Sequence, residues 1–201
     1  PTVARAMTEA LSTMSSPGRG GHPLAMRAAD TAFQCRSELA ALFNMKEPER
    51  VVFTTNATHG LNIAIKSLVP RGGRVVVSGY EHNAVTRPLA ALGADISAAD
   101  APPFDRETAV AAFERLIVPG IDAVICNHVS NVFGCIQPIE AVAELCRDRG
   151  VPLIVDASQS AGILPLDMER LGAAFIAMPG HKGLYGPQGT GILLCGGDGL
   201  P

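Results

Sequence analysis

Lys182, set among glycines in the stretch GHKGLYGPQGTG at residues 180–191, is the side chain of this sequence most suited to covalent chemistry. Other chemically capable residues stand where apolar runs end. Asp156 closes one such run in VDASQS, with Gln159 three residues later. His82 stands in SGYEHN, Asn131 in NHVSN, and Thr58 in TTNAT. A lysine amine forms an imine with an aldehyde, and a carboxylate holds a pyridine nitrogen protonated so that the ring can accept electrons. A helix start such as that at Thr58 offers free N–H groups and a favourable dipole to a phosphate. The cofactor that uses all three is pyridoxal 5′-phosphate.

These residues need a frame that brings them together. The chain predicts an opening helix, a break at SSPGRGGHP, and a long helix from about Leu24 to Asn44. From there short β-branched runs alternate with helical periodicity. Strands are predicted at RVVFTT, RVVVSG, ADIS, DAVICNH, PLIVDAS, AFIAM and GILLC, with helices over ATHGLNIAIKSL, from about Asn83 to Leu92, Arg106 to Leu116, and Pro138 to Asp148. The closing GGDGLP reads as a turn. Strands joined through helices imply an α/β fold with a mostly parallel sheet flanked by helices in three layers. In such sheets ligands bind beyond the carboxyl ends of the strands. The clusters TTNAT, SGYEHN, NHVSN, DASQS and PGHKG all follow strands, so one edge of the sheet should gather them.

Composition narrows the function. The 201 residues are 47% hydrophobic and 17% charged, without Trp, which suits one unit with an aliphatic core. A net charge of −3 offers no basic field for nucleic acid. Five cysteines, Cys35, Cys126, Cys135, Cys146 and Cys195, form no CxxC pair, which disfavours a disulfide framework and a zinc site and points to the cytoplasm. No run approaches the roughly 18 apolar residues of a membrane span, and no signal core opens the chain. A nucleotide-binding domain is disfavoured because neither GxxxxGK[ST] nor a strand-to-helix GxGxxG occurs.

The stretches SGYEHNA, NHVSNVFG, VDASQSAG and PGHKGLYGPQGTG, in this order, resemble the large domain of the class V aminotransferase family of fold type I pyridoxal phosphate enzymes, within it the cysteine desulfurase and selenocysteine lyase branch. The resemblance spans the whole chain. It implies residues 1–45 as an N-terminal helical segment packing on a cofactor-binding large domain at 46–201, the family's C-terminal small domain being absent. It implies Lys182 as the Schiff-base lysine, His181 as a phosphate contact, and His82 as the residue stacked on the ring and active in proton transfer. Asp156 would pair with the pyridine nitrogen and Gln159 with the ring hydroxyl oxygen. Asn131 would lie near that oxygen and the substrate carboxylate, and Thr58 with the backbone of Ala57 would bind phosphate. The expected activity is that of a cysteine desulfurase, releasing sulfur from L-cysteine to give L-alanine, in a homodimer that serves a sulfur-acceptor protein. Another class V reaction (transamination, epimerisation, kynureninase-like cleavage or selenocysteine lysis) and a catalytically silent chain stand as alternatives.

Other readings of the same residues stay open. An aspartate at a strand end also caps turns, Thr58 also caps a helix, and Asn131 also suits a turn before Gly134. His22, His59 and His128 read as surface or locally bonded, and the cysteines as core or incidental. Four features depart from the family pattern. Pro179 stands where many relatives have a serine, and both Gly183 and Leu184 separate Lys182 from YGP, where relatives often have one residue. NATHG replaces a Thr-Thr-Glu helix start, and the small domain with its carboxylate-binding arginine and persulfide cysteine lies outside the resemblance.

Overall fold

The computed structural model describes residues 2–18 and 20–197; the turn expected at GGDGLP lies outside them from residue 198 onward. Seven strands form one sheet: β1 (Val51–Thr54), β2 (Arg74–Ser78), β3 (Asp95–Ala99), β4 (Ala123–Asn127), β5 (Leu153–Asp156), β6 (Phe175–Pro179) and β7 (Gly191–Cys195). Their spatial order is β1-β7-β6-β5-β4-β2-β3. Only β7 runs against the others, antiparallel to both β1 and β6, whereas the remaining neighbours pair in parallel. The carboxyl ends of β1, β2, β4, β5 and β6 therefore share one edge, which β7 enters at Gly191.

Alternate residues of each buried strand feed two apolar layers, as the period of two requires. Val75, Val77, Ile125, Ile154 and Ala177 face α3 (Ala57–Leu68) and α4 (Asn83–Leu92). Val76, Val124, Cys126, Val155 and Ile176 face α5 (Arg106–Leu116), α6 (Ile139–Arg149) and the four-residue α7 (Met168–Leu171). Both faces are covered, which is why β4, β5 and β6 read as unbroken apolar runs. β3 at the edge is mostly exposed, hence its weak signal.

The two N-terminal helices are α1 (Thr2–Thr13) and α2 (Pro23–Leu42). α1 buries none of its residues, while the C-terminal end of α2 anchors through Ala40 and the following Phe43. α2 stops at Leu42, short of the expected Asn44, because Asn44 adopts φ 52° and turns the chain. α6 begins one residue later than expected, with Pro138 at its N-cap position. Short α7, unmarked by any sequence period, is capped by the Asp167 side chain, which accepts from Arg170 N–H at 2.8 Å.

Candidate active site

All eight residues singled out in the sequence line a single cavity of about 190 Å³ at the carboxyl edge of the sheet. They are Ala57, Thr58, His82, Asn131, Asp156, Gln159, His181 and Lys182. Five different strand-end segments supply them, so neither helical nor strand periodicity alone could have joined them.

The start of α3 forms one wall. Asn56 is the N-cap, its Oδ1 accepting from His59 N–H at 2.8 Å, while Thr54 Oγ1 donates to Asn56 O at 2.9 Å. Thr58 is thus not the cap, and its hydroxyl is left to the cavity. The N–H groups of Ala57 and Thr58 belong to the first turn, where no helical acceptor exists. β7 starts flush against this cap: a Cβ on Gly191 would come within 2.6 Å of the Asn56 carbonyl carbon. The first turn of α3, with its free N–H groups, is thereby fixed to the sheet.

Asp156 forms the floor at the end of β5 and is 5% exposed. Its Oδ1 accepts from Ser158 N–H at 2.9 Å and Ser158 Oγ at 2.5 Å, so the residue does cap its turn. No hydrogen bond engages Oδ2 among the described residues. Capping with one oxygen orients the other, and the two readings of this aspartate are compatible. Gln159 follows on the same turn.

His82 is the N-cap of α4, and its Nδ1 accepts from Ala84 N–H at 3.1 Å. That bond places the ring proton of neutral His82 on Nε2 and holds the imidazole over the cavity. Asn131 sits on a tight loop whose form comes from its neighbour. Ser130 Oγ accepts from Val132 N–H and Phe133 N–H, each at 3.3 Å, and Gly134 N–H donates to Ser130 O at 2.9 Å with Gly134 at φ 70°.

Lys182 lies on the β6–β7 loop, which is bonded to itself. Gly180 N–H donates to Thr190 O at 2.8 Å, Gly186 N–H to Gly180 O at 2.7 Å, and Tyr185 N–H to Lys182 O at 3.0 Å. The Lys182 amine makes no ion pair among the described residues. Pro179 lines the cavity without donating, and the nearby Thr190 hydroxyl is spent on Pro187 O at 2.6 Å. The hydroxyls lining the cavity are those of Thr58 and Ser158.

Sequence reasoning missed Asn56, Asn127 and Ser158, which also line the cavity. Each lies in a strand-end cluster already noticed; the usable signal was a polar residue directly closing a buried strand, as Asn127 does in β4. His128 is a correction. Expected at the surface or locally bonded, it is 4% exposed with Nδ1 buried and unpartnered, because it continues β4 inward and donates its N–H to Asp156 O at 2.9 Å. Burial pushes its imidazole below the ordinary histidine range. His59 does bond locally, its Nδ1 accepting from Thr55 N–H at 3.4 Å.

A family model described as aminotransferase class-V matches residues 1–199. A probable cysteine desulfurase of Methanothermobacter thermautotrophicus is 34% identical over 207 residues, covering 98% of this chain and 50% of the relative. Among solved structures, the apo cysteine desulfurase of Thermococcus onnurineus NA1 superposes with TM-score 0.86 at 31% identity, covering 96% of this chain and 50% of that one. A C-DES variant with glycine covalently linked to its PLP cofactor superposes with TM-score 0.85 at 28% identity, over 98% of this chain and 54% of that one. The chain spans about half the length of the curated relatives it matches.

Proposed function

The chain belongs to the class-V aminotransferase family, and from that premise we propose that it carries the pyridoxal phosphate site of an amino-acid-transforming enzyme of the cysteine desulfurase kind. One observation carries the reading. An unpaired lysine, a floor carboxylate with one oxygen uncommitted, and an open helix N-terminus face one cavity. The residues fit the group: a phosphate suits the first turn of α3, a ring nitrogen suits Asp156, and an aldehyde suits Lys182.

When bound, the cofactor would supply an electron sink that stabilises negative charge at the substrate α-carbon. The protein's residues do the rest. Ala57, Thr58 and His181 would hold the phosphate, Asp156 would keep the ring nitrogen protonated, and Gln159 with Asn131 would orient the ring oxygen. Lys182 would hold the cofactor and offer the amine that moves the substrate α-proton. His82 would cover the ring face and present its Nε2 proton to the substrate side. In the desulfurase reaction L-cysteine and an acceptor thiol give L-alanine and a persulfide. Cys126, Cys135 and Cys146 are buried in the core, and no cysteine lines the cavity among the described residues. The same residues suit another class V reaction on the same cofactor.

We infer a homodimer as the working form, supported by the exposed Val132, Phe133 and Ile136 around Asn131 at the cavity rim. The five unpaired cysteines support a reducing, cytoplasmic setting. No helix among the described residues is long and apolar enough to cross a membrane. The direct test is reconstitution with pyridoxal phosphate, looking for a visible absorbance band that borohydride removes and Lys182→Ala lacks. Incubation with L-cysteine, reading alanine and sulfide, then separates desulfuration from its alternatives. A colourless protein after reconstitution would sink the proposal.

A further inference from the structure

A second carboxylate lies behind the cavity floor and has no part in the roles above. Glu81 directly precedes His82. Its Oε1 is 2.5 Å from Ser78 Oγ and accepts from Asn127 N–H at 2.7 Å. Its Oε2 is buried with no partner among the described residues. Ser78 ends β2 and Asn127 ends β4, in register with Asp156 on β5.

A proton count at Ser78 decides the state of this group. Ser78 Oγ accepts from Tyr80 N–H at 3.3 Å and faces two oxygens, Glu81 Oε1 and, at 3.0 Å, Asn127 Oδ1. The Asn127 amide is oriented by Nδ2, which donates to Tyr80 O at 2.8 Å, so its Oδ1 can only accept. One hydroxyl has one proton and cannot serve both oxygens. If Ser78 donates to Asn127, Glu81 must donate to Ser78, and every polar group in the cluster except Oε2 is then matched. An ionised Glu81 would leave one acceptor unfilled and a charged oxygen bare in the interior, which is the costlier arrangement.

Electrostatics agree with the count. Burial, and after it the Asp156 carboxylate, push the Glu81 carboxyl up to about 8 against the hydrogen bonds that favour ionisation. The other titratable neighbour is Cys126, whose thiol burial and Glu81 hold well above its usual range and therefore neutral.

The geometry points to Glu81 as a positioning residue that works as a neutral acid: through Ser78 and Asn127 it fixes the loop bearing His82 and leaves Asp156 as the lone carboxylate charge at the cavity floor. The link to His82 and Asp156 rests on reading the cavity as the cofactor site; the protonation of Glu81 does not.

Two measurements test this. Infrared difference spectra of wild type minus Glu81→Gln at neutral pH should contain a protonated-carboxyl C=O band from Glu81. Carboxylate bands alone would overturn the proposal. Titration with pyridoxal phosphate should leave Glu81→Gln, neutral and of the same shape, within about threefold of wild-type affinity, whereas Glu81→Ala should lose about tenfold or more. The change in wild-type affinity as pH rises through about 8 should be smaller in Glu81→Gln, which lacks the Glu81 contribution. An Ala variant that binds like wild type, or a Gln variant with the wild-type pH response, would refute the positioning role. Failure of wild type itself to bind would strike the cofactor reading instead, and the infrared result would still report on Glu81.

Discussion

The backbone of Gly183 rests directly against that of Ala161: a Cβ at position 183 would stand 2.2 Å from the Ala161 carbonyl oxygen. The contact is reciprocal, since a Cβ on Gly162, itself at φ 79°, would come 2.5 Å from the Gly183 carbonyl oxygen. The segment after Asp156 therefore braces the turn after Lys182, backbone on backbone. This brace turns the extra residue between Lys182 and Tyr185 from a loosening insertion into a seat.

Gly183→Ala should displace the lysine loop. We expect cofactor affinity to fall by about tenfold or more, because a closed backbone contact leaves the new methyl nowhere to go. Gly162→Ala adds a left-handed-backbone cost of about 1–2 kcal/mol to its clash and should lower the urea midpoint of the cofactor-free chain as well. Wild-type affinity in Gly183→Ala would dismiss the brace.

Asp156→Asn keeps an oxygen for Ser158 but removes the charge proposed to face the ring nitrogen. Cofactor should still bind, while turnover falls by about 10²-fold or more, as expected for losing a preorganised electrostatic partner. Ser158→Ala, which frees Oδ1, should have a far smaller effect on turnover. Single-turnover kinetics on both variants distinguishes the charge from the cap.

Asn56→Ala removes the cap that accepts from His59 N–H. A cost of about 1 kcal/mol in unfolding free energy is expected. Because the same turn is the proposed phosphate seat, inorganic phosphate should protect wild type from thermal unfolding more than it protects Thr58→Val. Equal protection would move the phosphate site elsewhere.

Glu81 also makes stability depend on pH. Its folded-state value is raised from 4.5 to about 8, so the folded chain holds a proton that the unfolded chain has released. The stability it contributes is complete below about 4.5 and is lost as pH rises through about 8. At roughly 1.4 kcal/mol per unit, the loss by pH 7 is on the order of 3 kcal/mol. Glu81→Gln should flatten this fall, and chemical denaturation across pH 5 to 9 would read it; parallel curves for the two proteins would count against a raised value.

Much of the frame was legible in the chain. Six of the seven strands announced themselves as β-branched or aliphatic runs and exposed β3 only weakly, since burial on both faces leaves polar residues nowhere to sit along β4, β5 and β6. The polar residues that close these runs marked the cavity for the same reason. Short α7 stayed hidden because a single turn has no period to detect, and His128, though inside the predicted run DAVICNH, was misjudged because its polar type suggested the surface while its backbone goes on bonding to Asp156 and its ring is buried.

The sequence by itself therefore determined the α/β alternation and the sheet edge where chemistry gathers, because these follow from local burial and strand ends, and it singled out eight of the residues that line the cavity, Ala57 and His181 among them through the family resemblance. Tertiary structure alone decided the reversal of β7, the brace between Gly183 and Ala161, the assignment of the α3 cap to Asn56, and the hydrogen-bonded cluster of Glu81, Ser78 and Asn127. Most of these depend on contacts between segments far apart in the chain, and the cap on which of two neighbouring side chains meets a free N–H; residue order encodes neither until the sheet is assembled.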